Sequence, residues 1–387
     1  VISRGLVLRL GASQLICWGL SYYLIGVFAH LIADDLGWPL TWVHGGFSAG
    51  LVASGAVSAR VGRWIDRNGG RAVMVTGSIL LAVGCAGIAV SRHLATYYLA
   101  WLCLGVAMRM TLYDAAFAAL ARIGGANARR PIAQITLLGG LASTTFWPIG
   151  QFLGDLLGWR GALLAYSLFA LLTVPLHAAI PSGSALPAPV RSPAGTAQPS
   201  SLSFAALLYA AITAVTTVLN SGLSAHVIGM LAGLGMTTAA AVWVSSLRGI
   251  GQSAARLVEV TMLGRLSPLV LALLATGLLP LSLLLAPFSG DSLAAAIAFS
   301  LLFGAGNGLV TIVRGTLPLM LFDPAHYGAI VGRLLGPSFY LGALAPFAYA
   351  LVIERFGHEA AFHLTTALAA LAFASAVVLS LRREIRR

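Results

Sequence analysis

Apolar positions along this chain neither alternate nor recur with the one-sided period of a surface helix; they run on without interruption. A stretch of about 20 predominantly apolar residues is what a helix needs to cross the hydrocarbon of a bilayer. Such stretches occupy residues 7–31, 40–61, 72–90, 95–122, 131–155 and 159–179, and a second set occupies 203–229, 236–260, 266–287, 292–321, 326–352 and 359–380. Between the sets lies "PSGSALPAPVRSPAGTAQPSS" (181–201), whose Pro, Ser, Ala and Gly cannot bury a core and read as a flexible linker. The pattern predicts an all-α membrane protein of twelve transmembrane helices. One six-helix bundle takes residues 1–180, the linker 181–201 and a second six-helix bundle 202–387. The first apolar run is too long for a signal-peptide core and no small-residue cleavage site follows it, so it is expected to stay as a spanning helix.

Composition agrees. Of 387 residues, 59% are hydrophobic and only 9% charged, too little polar surface to cover a water-exposed globule. A formal charge of +12 raises nucleic acid as a partner, but the placement of the basic residues answers differently. All 23 are arginine. With a cytoplasmic N-terminus, one side of the membrane receives fifteen, among them Arg60, Arg63, Arg67, Arg71, Arg122, Arg129, Arg130, Arg191 and Arg382, and the other receives Arg92, Arg160 and Arg355. This positive-inside asymmetry predicts a multi-pass protein of the bacterial inner membrane with both termini and the linker cytoplasmic. It also accounts for most of the charge through the lipid bilayer alone. No RNA-binding aromatic signature or zinc spacing is present, and no nucleic-acid partner is expected.

Cys17, Cys85 and Cys103 fall in apolar runs without a pairing pattern and read as small core residues. The eight histidines share no face, so no metal site is expected. There is no G-x-x-x-x-G-K loop and no clustered His/Asp/Glu set, and neither a cofactor nor an enzymatic activity is expected. "GAVSAR" (55–60) and "GQSAAR" (251–256) share G-x-x-x-A-R near the end of the second predicted helix of each half. With the six-plus-six count, they point to the duplicated build of secondary transporters.

"GRWIDRNGGR" (62–71) is the polar turn between the second and third predicted helices. Gly62, Asp66, Arg67, Gly69 and Arg71 match G-x-x-x-D-R-x-G-x-R, and on them the chain resembles the major facilitator superfamily. The resemblance implies two bundles related by a pseudo-two-fold axis, alternating access, and a cavity lined by helices 1, 4, 7 and 10. It assigns these five residues to gating. The chemistry fits: glycine supplies positive φ, arginine anchors a turn to the inner leaflet, and the aspartate can accept from a facing arginine or helix N-terminus. The second-half loop "VEVTMLGRLSP" (258–268) keeps only Arg265 and a displaced Glu259.

Within the superfamily, "DDLGWPLTWV" (34–43) and "LGDLLGWRGALL" (153–164) are similar to the monocarboxylate-porter and oxalate–formate-antiporter branch. That likeness implies a substrate-binding Arg256 behind Gly249, with Gln252 where some of those porters carry an acid.

Charges inside spanning helices normally face a cavity or a partner. Arg109, Arg248, Arg256, Arg314 and Arg333 outnumber Asp114 and Glu259, an excess that an anionic substrate explains. By depth, Arg109 and Arg248 fall mid-span, whereas Arg256, Arg314 and Arg333 lie nearer the cytoplasm, where pairing with Asp66, Glu259 or helix carbonyls is the alternative. For Arg109 the alternative is a purely structural arginine. Trp18 and Tyr22 on the first helix, Thr213, Thr217 and Asn220 on the seventh, and Asn307 and Thr311 on the tenth form polar stripes at helical spacing. Asp114, about 140° around the helix from Arg109, is read either as a proton carrier or as one side of an interhelical salt bridge. The resulting expectation is a monomeric secondary transporter of a small mono- or dicarboxylate-like anion, coupled to protons or a counter-anion. The alternative is drug, metabolite or arsenical efflux by proton antiport on the same fold.

Overall fold

The structure is a computed structural model that describes residues 2–181, 204–263, 266–323 and 326–384. The predicted linker 181–201 lies outside the described residues beyond position 181, as does Arg265. Thirteen α-helices and no strand occur among the described residues. They are α1 Arg4–Leu20, α2 Leu24–Leu36, α3 Leu40–Asn68, α4 Gly70–Val90, α5 Leu94–Thr111, α6 Tyr113–Gly124, α7 Arg129–Gly140, α8 Ala142–Ala178, α9 Phe204–Gly233, α10 Thr238–Val258, α11 Pro268–Leu283, α12 Leu293–Leu321 and α13 Tyr327–Glu384.

Every predicted apolar stretch is helical, but helices and stretches do not correspond one to one. Seven of the helical segments are long and apolar enough to cross a membrane. The predicted continuous helices 7–31, 95–122 and 131–155 are each interrupted, and α8 and α13 each join two predicted spans through a glycine in a left-handed conformation, Gly158 (φ 68°) and Gly357 (φ 85°). Glycine takes that conformation without a Cβ penalty, so the chain turns a corner with almost no loop. Hydropathy carries no information about such corners.

The break within 95–122 has a clear chemical basis. Leu112 is extended (φ −77°, ψ −175°), which ends α5 and starts α6 one residue later. An interruption inside an apolar helix exposes carbonyls that lipid cannot satisfy, so protein groups take over. The Gln14 side chain donates to the Thr111 carbonyl at 2.8 Å.

The chain divides into two compact units, residues 1–193 with 322–336, and 194–321 with 337–387. In the first, α1 packs on α7 and α8, α4 lies between α5 and α8, and α3 packs on α5. In the second, α12 lies along both α10 and α11. The α10–α12 contact is backbone on backbone: a Cβ on Gly251 would meet the Leu301 carbonyl, one on Gly304 the Arg248 carbonyl and one on Gly308 the Gln252 carbonyl. Small residues permit this approach, and it fixes the register of the two helices. On the α13 side, Pro346 has no N–H for the Gly342 carbonyl. Ser221 of α9 supplies the missing donor at 2.7 Å, and His226 Nε2 lies 2.8 Å from the Pro346 carbonyl.

Candidate functional site

In the first unit, the site is built on the turn after α3. Gly69 has φ 84°, which ends α3 and starts α4 at once. Arg71 Nε donates to the Ile180 carbonyl at 2.6 Å and Arg122 Nη2 to the Arg67 carbonyl at 3.3 Å, so the arginines hold the turn in place. Asp66 points the other way. Its Oδ1 accepts the Gly328 N–H at 2.9 Å and its Oδ2 the Ala329 N–H at 2.6 Å. These are orphan donors in the first turn of α13, so Asp66 acts as an N-cap supplied from a distant part of the chain. Burial holds its carboxyl above the ordinary range, and the two N–H bonds offset this only in part.

Close packing makes the cap geometrically feasible. A Cβ on Gly62 would strike the Gly328 carbonyl, and one on Gly332 would lie 2.6 Å from the Ser58 carbonyl and 3.2 Å from Arg109 Nη2. Gly336 has room, with the Gly55 carbonyl 3.7 Å away. Arg109 is buried and donates through Nε to Ser58 Oγ at 2.9 Å, on the face of α3 that meets Gly332.

The predicted aromatic wall is also in this unit. Trp18 stands 5.1 Å, centroid to centroid, from both Tyr22 and Tyr113, beside the break at Leu112. Gln14 Oε1 and Trp18 Nε1 are buried with no hydrogen-bond partner among the described residues. Asp114 is half-buried in the first turn of α6. Arg333 is exposed, on residues 322–336 of the same unit.

In the second unit, Arg248, Gln252 and Arg256 fall on one face of α10, and Arg248 and Arg256 are joined through neighbouring helices. Arg248 Nη2 donates to Asn220 Oδ1 at 3.3 Å, and Asn307 Nδ2 donates to the same oxygen at 3.3 Å. The Asn307 carbonyl accepts from Thr311 Oγ1 at 3.1 Å, and Thr311 accepts from Arg256 Nη2 at 3.0 Å. Arg256 Nε also reaches the Gly308 carbonyl at 3.3 Å, and Arg248 lies 5.1 Å from the Phe303 ring centroid. The cluster thus combines two guanidinium groups with two side-chain amides, groups that can donate hydrogen bonds to an anion's oxygens.

Sequence reading named Asn220, Arg248, Gln252, Arg256 and Asn307 separately; the structure brings Asn220, Arg248, Arg256 and Asn307 into one hydrogen-bonded chain through Thr311. Ser58, Phe303 and the glycines of residues 328–336 were not named. The last had a signal, G-x-x-x-G-x-x-x-G, the small-residue pattern of closely packed membrane helices.

Buried charge inside long apolar helices belongs to proteins that handle polar solutes within a membrane. The Major Facilitator Superfamily profile matches residues 12–332, and the chain belongs to that superfamily. It is thus a multi-pass membrane protein of a transporter family. Among solved structures, the human organic anion transporter MFSD10 (TETRAN) is similar at TM-score 0.74 and 18% identity, covering 96% of this chain and 99% of that one. An E. coli fucose:proton symporter, FucP, is similar at TM-score 0.70 and 14% identity, over 96% and 98% of the two chains. The proton:xylose symporter XylE, bound to 6-bromo-6-deoxy-D-glucose, is similar at TM-score 0.74 and 12% identity, over 96% and 94%. At these identities the likeness is one of fold. No curated protein sequence matches the chain.

Proposed function

We propose that this transporter moves a small organic anion, mono- or dicarboxylate-like, across the inner membrane by alternating access. The carrying observation is the chain Arg248–Asn220–Asn307–Thr311–Arg256, which presents two guanidinium groups and a side-chain amide donor within one unit. A guanidinium fork binds a carboxylate through two parallel hydrogen bonds, which suits it to this task. The cap of Asp66 on α13 supports a gating role, since a cap made by a distant residue can break and re-form as the protein cycles. Asp114, next to the helix break, is the proposed proton carrier; exchange against a second anion is the other mode of coupling. The proposal keeps the monocarboxylate-porter and oxalate–formate-antiporter branch, twelve spans, cytoplasmic termini and a monomer.

The human structural neighbour is named an organic anion transporter and the other two are proton symporters of sugars, so both solute classes belong in the test. The aromatic group around Trp18 favours a second reading, a neutral or cationic compound exported by proton antiport. A thermal-shift screen of the purified protein decides between them with mono- and dicarboxylates, oxyanions, sugars and cationic drugs. Stabilisation by carboxylates, lost in Arg248→Ala or Arg256→Ala, is the expected result. Stabilisation by a sugar or drug that is indifferent to both arginines refutes the anion reading.

A further inference from the structure

We infer that a buried string of side chains, His177–Ser78–Thr173–Cys17–Thr111, carries a proton between Asp114 and the end of the first unit that holds the turn "GRWIDRNGGR". The inference rests on the reading of Asp114 as the proton carrier.

Four helices supply the string. His177 and Thr173 lie one turn apart on α8, Ser78 is on α4, Cys17 is on α1, and Thr111 is the last residue of α5. All five side chains are completely buried, and all belong to one compact unit. Thr173 Oγ1 donates to Ser78 Oγ at 2.7 Å, and Ser78 Oγ lies 2.7 Å from His177 Nδ1. The Cys17 thiol is within hydrogen-bond reach of both Thr173 and Thr111.

The two ends fall where proton coupling needs them. Beyond Thr111 the helix breaks at Leu112, and Asp114 stands three positions on, in the first turn of α6. At the other end His177 is one residue from the end of α8, and Arg71 of the polar turn grips the Ile180 carbonyl just beyond it. The charged and titratable groups that neighbouring elements bring near the string are Arg71 and Cys85 of α4, Arg109 of α5, which donates to Ser58, and Asp114.

A proton passes along groups that accept one hydrogen bond while donating another. Each link must then find a second partner in order to reset. The Thr173 hydroxyl also reaches the Ala170 carbonyl at 2.6 Å, and Thr111 Oγ1 donates to the Ala107 carbonyl at 2.8 Å. Ser78 Oγ and His177 Nδ1 each lie 3.1 Å from the Met74 carbonyl, so a protonated Nδ1 has an acceptor waiting. Serine and threonine by themselves commonly just join membrane helices. The imidazole adds what a relay needs, because it binds a proton at one ring nitrogen and releases one from the other. His177 Nε2 is that second nitrogen. It is buried with no hydrogen-bond partner among the described residues, where a buried ring nitrogen normally has one.

In the arrangement seen, Thr173 points its proton at Ser78 and so toward His177. Asp114 loses a proton. Thr111, Cys17, Thr173 and Ser78 each receive one and pass one on, and His177 takes one at Nδ1 and releases one from Nε2. The net transfer is one proton, and only Asp114 changes charge.

The test uses the full-length protein in proteoliposomes, with radiolabelled lactate and succinate as probes. It reads accumulation driven by an imposed proton gradient beside exchange at equal pH. Thr173→Val keeps the shape and removes the hydroxyl, whereas Thr173→Ser keeps the hydroxyl and removes a methyl. In Thr173→Val and Ser78→Ala, proton-driven accumulation should fall at least about tenfold, with exchange and melting temperature close to wild type. His177→Asn, which has no second ring nitrogen to release a proton, should match them, and Thr173→Ser should keep both activities. If the string only joined α4 to α8, stability and both activities would fall together, and that result overturns the inference. So does wild-type accumulation in Thr173→Val while Asp114→Asn abolishes it, which leaves the Asp114 reading standing. If the wild type exchanges a probe without accumulating it on a proton gradient, the Asp114 reading falls, and this inference with it. If the wild type moves neither probe, the anion reading falls and takes both with it.

Discussion

The Asp66 carboxylate accepts the backbone N–H of Ala329 at 2.6 Å, across 263 positions of sequence. With the companion bond to Gly328 it caps the first turn of α13 from a distant part of the chain. Asp66→Asn removes the charge and one of the two acceptors. Transport in proteoliposomes should fall sharply while expression and membrane insertion stay at wild-type levels. Normal turnover in this variant would reject the gating role.

The same contact has a pH signature. The Asp66 carboxyl is raised because it is buried, so ionisation costs folding free energy. Its stabilising contribution is therefore fullest at acidic pH and is lost as pH rises through the raised pKa. Relative to Asp66→Asn, which cannot titrate, the wild-type melting temperature should decline as pH climbs through and beyond the ordinary carboxylate range. Parallel pH profiles for the two proteins would contradict this.

Gly332 and Gly336 allow a controlled comparison. An added Cβ meets the Ser58 carbonyl at 2.6 Å at the first position and only ordinary contact, 3.7 Å from the Gly55 carbonyl, at the second. Gly332→Ala should cost about 1–3 kcal/mol by overpacking. Gly336→Ala should change little. Equal effects on thermal stability would mean that the α3–α13 approach is looser than described.

Arg248, Arg256 and Arg109 should respond differently to replacement. Replacing Arg248 or Arg256 by Ala should weaken carboxylate binding by about 2–5 kcal/mol, and Lys should recover little because it cannot form the planar fork. Arg109→Ala should instead lower stability with little change in affinity, since Arg109 is buried and donates to Ser58. Isothermal titration beside a melting curve reads both quantities. Asp114→Asn should abolish proton-driven accumulation and spare exchange if Asp114 carries the proton.

Pro346 and Ser221 make a matched pair. Ser221→Ala leaves the Gly342 carbonyl without its donor, a loss of about 0.6–1.7 kcal/mol for hydrogen bonds of this kind in membranes. Pro346→Ala restores a backbone N–H to that carbonyl. In the double variant the serine should therefore matter much less, and a thermal-stability cycle measures this directly. Additive effects would show that Ser221 does not serve the proline gap.

Hydropathy alone determined the membrane class and the helical content, because lipid forces every spanning backbone to satisfy itself within a helix. The turn "GRWIDRNGGR" was legible for a similar reason. Its glycines and charges are local requirements of a tight turn beside a membrane surface, and they stay next to one another in sequence. Asn220, Arg248 and Asn307 were visible as polar positions in apolar runs, but their meeting was not. It depends on which helices neighbour one another and on the α10–α12 register that Gly251, Gly304 and Gly308 set by backbone contact. The break at Leu112 was hidden because an extended leucine has the hydropathy of a helical one. What permits it is Gln14, ninety-seven positions away, satisfying the freed Thr111 carbonyl. The acceptor for two first-turn N–H groups of α13 likewise came from Asp66. Sequence fixes which groups need partners; tertiary structure selects the partners, because hydrogen bonds and close packing act between groups that only the folded chain brings within reach.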